Sequence, residues 1–187
     1  MQMVSCLLLI DIQNGFVSDK TKQILPRVKR LIKEGNFDHV IATRFVNQKG
    51  SPYVRFMGWE KLMLDEETKL IDFIDENVEK VFKKSIYSAV STGLLKFAKD
   101  NSIDTFYIAG IDTDCCILKT AVDMFEKNID FKVLLHYSAS NGGRKSFNAS
   151  VTVMNRLVGG SRLISGKYDS QGVEDTVKER DSASSVV

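Results

Sequence analysis

An α/β fold built on a six-stranded, mainly parallel sheet is predicted by two features of the chain. Short apolar runs recur over residues 4–10, 39–43, 80–82, 105–109, 132–135 and 162–164, and longer amphipathic stretches separate them. That alternation is how βαβ units look in sequence, because each new parallel strand needs a helical crossover to bring the chain back. With 187 residues, 43% hydrophobic and 27% charged, the chain can build one soluble domain around a large core.

The first run, Val4 to Ile10, is closed by Asp11 and is too short to cross a membrane, and no signal peptide is expected. Residues 20–33 carry Ile24, Leu25, Val28, Leu31 and Ile32 close to helical period, and Gly35 follows as a stop signal. After the second strand, residues 47–65 break the pattern with Gly, Tyr53, Phe56 and Trp59. They are expected as one long loop, and a long aromatic loop of this kind serves as a substrate lid, as an interface, or as plain packing. Ser91 or Thr92 can cap a helix to about Lys99, Thr113 or Asp114 one to about Lys127, and a third helix is expected over 145–157, before Gly159-Gly160. One domain is therefore expected over residues 1–165. From 166 to 187 the composition turns to Asp, Ser, Lys, Glu and Gly, which predicts a surface or partly disordered tail outside the core.

Charge and cysteine usage narrow the function. The 26 basic and 24 acidic side chains leave a net charge of +2, so no basic footprint for nucleic acid is present. The cluster Arg27, Lys29, Arg30 and Lys33 has the spacing of a solvated helix face. Three cysteines, two of them adjacent, cannot make a disulfide framework, and a reducing cytoplasmic location is expected. His39 and His136 stand in no ligand spacing, which predicts no metal site. No Gly-x-Gly-x-x-Gly or P-loop follows the first strand, so no dinucleotide cofactor is expected. The expected partner is a small-molecule substrate, with no nucleic acid and no membrane.

Functional groups of an open parallel sheet gather beyond the carboxyl ends of its strands. Three reactive residues fall there: Asp11 after the first strand, Lys84 after the third, and Cys116 beyond the fourth. Each has an ordinary reading, since Asp at a strand end caps loops, Lys beside Lys is solvated, and Cys is often a small buried hydrophobe. Together they form a chemical unit: a carboxylate to take the thiol proton, an ammonium to hold the two, and a sulfur nucleophile at a helix start. The helix N-terminus is expected to lower the thiol pKa. His39 lies at the wrong end of its strand to serve as a base, and His136, at the end of the fifth, is a reserve candidate.

Three motifs in order, Leu9-Ile10-Asp11-Ile12-Gln13-Asn14-Gly15-Phe16, Lys84-Ser85-Ile86-Tyr87-Ser88-Ala89 and Gly110-Ile111-Asp112-Thr113-Asp114-Cys115-Cys116-Ile117, resemble those of the isochorismatase-like cysteine hydrolases. That family includes nicotinamidases and N-carbamoylsarcosine amidase-like enzymes, and the resemblance covers residues 4–165. It implies a three-layer α/β/α fold, a homo-dimer or homo-tetramer, and C–N cleavage through a thioester on Cys116, with Asp11 as base and Lys84 completing the triad. Cys115 would pack away from the substrate. It further implies a cis peptide at Ile111-Asp112 and an oxyanion hole made by the N–H groups of Asp112 and Cys116. Phe16, Trp59 and Tyr87 are the pocket-lining candidates by the same resemblance.

The chain departs from its relatives in two places. Nicotinamidases carry a metal-binding Asp-x-His-x-x-His segment after the second strand, whereas Ala42-Thr43-Arg44-Phe45-Val46-Asn47-Gln48-Lys49 has neither histidine. That disfavours nicotinamide as the substrate and favours a metal-free amidase. Asp112 replaces the small residue usual in the family, and turned inward it would disfavour an anionic substrate. Two competing readings are a catalytically silent scaffold dimerising through residues 47–65 and a redox sensor using the Cys115-Cys116 pair.

Overall fold

β1 (Ser5–Ile10) is buried on both faces: Cys6, Leu8 and Ile10 enter one apolar cluster, and Leu7 and Leu9 enter another on the opposite side. A strand with no polar face must be central and covered above and below, and it is. The computed structural model describes residues 3–169 and 172–173. Its main sheet has six strands in the order β3-β2-β1-β4-β5-β6, every pairing parallel. They are β1, β2 (His39–Phe45), β3 (Lys80–Lys84), β4 (Thr105–Ile111), β5 (Asp130–Ala139) and β6 (Leu163–Ile164).

Helices cover both faces. α1 (Leu25–Glu34) follows a 3-10 turn at Lys22–Ile24 and carries Pro26 in its first turn, where no N–H is needed. It buries Val28 and Leu31 against the Leu7, Leu9 and Leu134 side. The segment expected as one long loop contains α2 (Pro52–Met57), with Ser51 as its N-cap and Gly58 left-handed after it. The one-turn helices α3 (Asp65–Thr68) and α4 (Asp72–Asp75) lead into β3. On the opposite face lie α5 (Thr92–Asp100), capped by Ser91, then α6 (Leu118–Glu126) and α7 (Gly143–Val158). Leu94, Ala121, Met124 and Met154 from these three helices meet Leu8, Phe106 and Val133 in the core. The result is the expected three-layer α/β/α arrangement. Among the described residues no helix is long and apolar enough to cross a membrane.

Two elements differ from expectation. β5 runs on to Ala139 rather than ending at Leu135, because its register against β4 shifts between the pairs Ile108–Val133 and Gly110–Ser138. The irregularity reverses the alternation: Phe131, Val133 and Leu135 face one core cluster, Tyr137 and Ala139 the other. The helix expected from Thr113 opens instead with a π-helical turn, Thr113–Ile117, before α6. Neither Thr113 nor Asp114 caps it. Thr113 Oγ1 donates to Ala139 O at 3.0 Å and Asp114 accepts from Ser140 Oγ, so both tie the turn to the end of β5.

Past β6 the chain turns back and Tyr168 docks on the α1 side, ring centroids 5.0 Å from both Phe37 and Tyr107. Tyr137 Oη donates to Tyr168 O at 3.2 Å and accepts from Tyr168 N at 3.0 Å. A short hairpin of β7 (Tyr168–Asp169) and β8 (Gly172–Val173) follows. The remainder of the tail expected over 166–187 lies outside the described residues.

Candidate active site

From β1 the chain builds outward in two directions, to β2 and β3 on one side and to β4, β5 and β6 on the other. The switch point lies between β1 and β4, where two crossovers diverge and leave a crevice beyond the carboxyl ends. Close approach at this point depends on Gly110, whose φ is +133° and where a Cβ would fall 2.1 Å from Ile10 O. Only glycine lets the two strand ends meet.

Asp11 follows β1 with φ at 50°, a left-handed turn that ends the strand. Its side chain is fully buried. Thr43 Oγ1, from β2, donates to Asp11 Oδ1 at 2.7 Å and accepts from Asp11 N at 3.2 Å. Lys84 is the last residue of β3, and its side chain is 5% exposed. Its Nζ stands 2.6 Å from Asp11 Oδ2, as an ion pair rather than an aligned hydrogen bond. The same ammonium donates to Ile86 O and Tyr87 O, both at 3.0 Å, and to Cys116 Sγ at 3.5 Å. The three residues singled out from strand ends therefore converge on one buried cluster.

Burial works against the Lys84 ammonium, but Asp11 and Cys116 beside it outweigh that cost and hold its pKa above the usual lysine value. Cys116 behaves otherwise than expected from its helix start. It is 4% exposed, and burial, reinforced by the negative charge of Asp11, pushes its thiol well above the ordinary value, with Lys84 opposing. The neutral thiol is the resting form because desolvation exceeds what a helix end supplies. Cys115 is likewise raised, to about 11, mainly by burial.

The cluster opens into a cavity of about 250 Å³ lined by Phe16, Phe45, Tyr53, Trp59 and Tyr87 together with Asp112, Cys115 and Cys116. Phe16, Trp59 and Tyr87, the expected pocket residues, all stand around this cavity. Cys115, in the same π-helical turn, also lines it, where the sequence suggested that it packs away. Phe16 and Trp59 stack at 6.0 Å, and Tyr53 meets Tyr87 edge-on at 5.1 Å. The Ile111-Asp112 peptide is cis.

Several residues of the site escaped the sequence reading. Asn141, just past β5, lines the cavity and grips Asp112 Oδ1 through its backbone N–H at 2.7 Å and its Nδ2 at 2.9 Å. Gln13, fully buried, donates to Phe45 O and Thr68 O and accepts from Phe45 N, so it fixes one wall. Asn47 ties Trp59 and Lys61 carbonyls to the end of β2. A strand-end position was the available signal for Asn141, but the irregular β5 hid that end. His136, the reserve base, lies within β5 and lines a separate depression with Phe147 and Ser165; His39 pairs with Glu79 at 2.8 Å.

Comparison with known proteins adds the family. The family description "Isochorismatase domain" matches residues 5–154. Isochorismatase family protein 1A of Dictyostelium discoideum is 32% identical over 69 residues, which is 36% of this chain and 34% of that protein. A nicotinamidase of Acinetobacter baylyi is 42% identical over 45 residues, 24% of this chain and 21% of that protein. The chain thus matches about a third or less of the length of these curated relatives. Among solved structures, an isochorismatase-like hydrolase from Alkaliphilus metalliredigens superposes with a TM-score of 0.74 at 17% identity, covering 86% of this chain and 93% of that one. N-carbamoylsarcosine amidase from Thermoplasma acidophilum superposes with a TM-score of 0.71 at 22% identity, covering 84% and 94%. At these identities the structural likeness is one of fold.

Proposed function

The chain belongs to the isochorismatase family, and from that membership we propose that it is a cysteine hydrolase cleaving a C–N bond, amide or ureido, in a small molecule. One observation carries the proposal: a single buried ammonium, Lys84 Nζ, reaches Asp11 Oδ2 at 2.6 Å and Cys116 Sγ at 3.5 Å. A carboxylate, an ammonium and a thiol gathered beside an apolar cavity suit nucleophilic acyl transfer.

In this mechanism Asp11 takes the Cys116 proton as the substrate enters and displaces water. The thiolate forms a C–S bond to the carbonyl carbon, and the oxyanion is received by the N–H groups of Asp112 and Cys116. Asp11 returns its proton to the departing nitrogen as the C–N bond breaks, leaving a thioester. Water then gives a proton to Asp11, attacks the thioester carbon, and releases the acid and the Cys116 thiol. Lys84 stays protonated throughout, holding carboxylate and sulfur together, in keeping with its raised pKa. The resting thiol fits this scheme, since proton transfer to a neighbouring carboxylate needs no free thiolate beforehand.

The test is a screen of small amides and ureido compounds for ammonia release, with mass spectrometry of the trapped adduct. Cys116→Ala should abolish turnover and adduct formation, while Cys115→Ala should keep most of both. Undiminished ammonia release by the Cys116 variant would end the proposal.

A further inference from the structure

The cavity wall is largely aromatic, and a carboxyl group stands against it. Asp112 Oδ1 takes both donors of Asn141. Asn141 is fixed in turn, since its Nδ2 also donates to Phe16 O at 3.0 Å and its Oδ1 accepts from Ser18 Oγ at 2.8 Å. Two donors on one oxygen lock the plane of the carboxyl group. Asp112 lines the cavity, and its Oδ2 has no donor among the described residues and is not among the sealed, unpartnered atoms. A carboxylate oxygen left open in apolar surroundings asks for a donor from whatever fills the space.

We propose that Asp112 is the specificity-determining residue of this cavity and that its Oδ2 receives a cationic nitrogen of the substrate. The inference rests on the cavity being the substrate site proposed above, and it names the class of substrate. The surroundings agree. Asp11 and Lys84 neutralise each other as an ion pair, Cys115 and Cys116 rest as neutral thiols, and Asp114, already engaged by Ser140, adds negative potential from the same turn. Lys61, the cation among the lining residues, is exposed and its charge is screened by water. The Phe45 ring already carries the Lys84 ammonium 5.2 Å from its centroid, and Trp59 and Tyr87 add aromatic lining to which a cation is modestly attracted. Burial lifts the Asp112 carboxyl to about 6, so it is ionised at neutral pH and above.

Binding can be read without turnover. Trp59 is the chain's single tryptophan and lines the cavity, so its fluorescence reports occupancy. In Cys116→Ala protein, the paired probes are meta-(aminomethyl)benzamide, a cation, and meta-(hydroxymethyl)benzamide, its neutral counterpart. The aminomethyl probe should bind about tenfold tighter at about pH 8, and the ratio should fall towards about one at about pH 5, where Asp112 is protonated. Asp112→Asn keeps the shape and puts an NH2 where Oδ2 stood, and it should abolish or reverse the preference. A ratio near unity at about pH 8, a ratio unchanged by Asp112→Asn, or no fluorescence response to either probe would overturn the assignment. Should Asp112→Asn fail to fold, the pH dependence with Asp112 intact decides. Failure to release ammonia from any amide would refute the hydrolase reading and leave this binding result standing.

Discussion

Lys84 is the residue on which the site's electrostatics turn, because its ammonium compensates whichever neighbour carries the negative charge. Burial is the main cause of the raised Cys116 thiol and stays in Asp11→Asn, but the substitution removes the negative charge that adds to it and leaves the ammonium that opposes it. Asp11→Asn should therefore alkylate faster with iodoacetamide at neutral pH while losing amide turnover by about a thousandfold, since the proton acceptor is gone. Slower alkylation and lost turnover together would contradict it. Asp112 offers a second measurement. Folding raises its carboxyl from 3.8 to about 6, through burial first, so between those values the folded chain holds a proton that the unfolded chain has released. Stability from this group is thus present at low pH and is lost as the pH rises through about 6, by up to about 3 kcal/mol. Urea unfolding across that interval should show the decline, and Asp112→Asn should flatten it. Asp11, Lys84 and Cys116 were legible because each stands at the end of an apolar run. Thr43 and Asn141 were not, since a Thr or Asn at a strand end carries no reactivity of its own and matters only through the group it grips.

Among the elements, the stretch from β2 to α3 contributes most of the aromatic wall of the cavity. It was read as one loop because α2 spans only six residues, too few to establish a helical period in sequence. Its order comes from Asn47, which is buried and uses both side-chain ends: Nδ2 donates to Trp59 O and Lys61 O, and Oδ1 accepts from Gln48 N and Ser51 Oγ. Asn47→Ala should free the segment that carries Tyr53 and Trp59 while leaving the Asp11, Lys84 and Cys116 cluster in place. The expected outcome is a rise in KM of about tenfold with a smaller change in kcat, and faster proteolytic cleavage near residue 50. An equal fall in kcat without a change in KM would count against that division of labour. The sheet strands were more legible than their ends, because burial sets apolar runs whereas termination depends on contacts far along the chain. β5 is the clearest case, its reversed alternation being a response to β4 and to the turn holding Thr113.

At the scale of the whole molecule, the order of strands decides where chemistry can happen. The parallel sheet was legible from alternation alone, but the placement of β1 and β4 side by side with their crossovers diverging is a long-range choice that no local signal states. The last described turn belongs to the same scale. Composition suggested that the compact part ends at residue 165, yet the Tyr168 ring completes an aromatic cluster with Phe37 and Tyr107, and its backbone closes on Tyr137 Oη. A chain shortened to residue 165 should lose about 2–3 kcal/mol and melt about 5–10 °C lower, with the proposed hydrolysis unaffected at low temperature. An unchanged melting temperature would mean that Tyr168 contributes nothing. If the loss is found, the compact unit is closed by an aromatic clasp past β6, and tension applied at Tyr168 would be felt directly by Phe37 and Tyr107 beneath it.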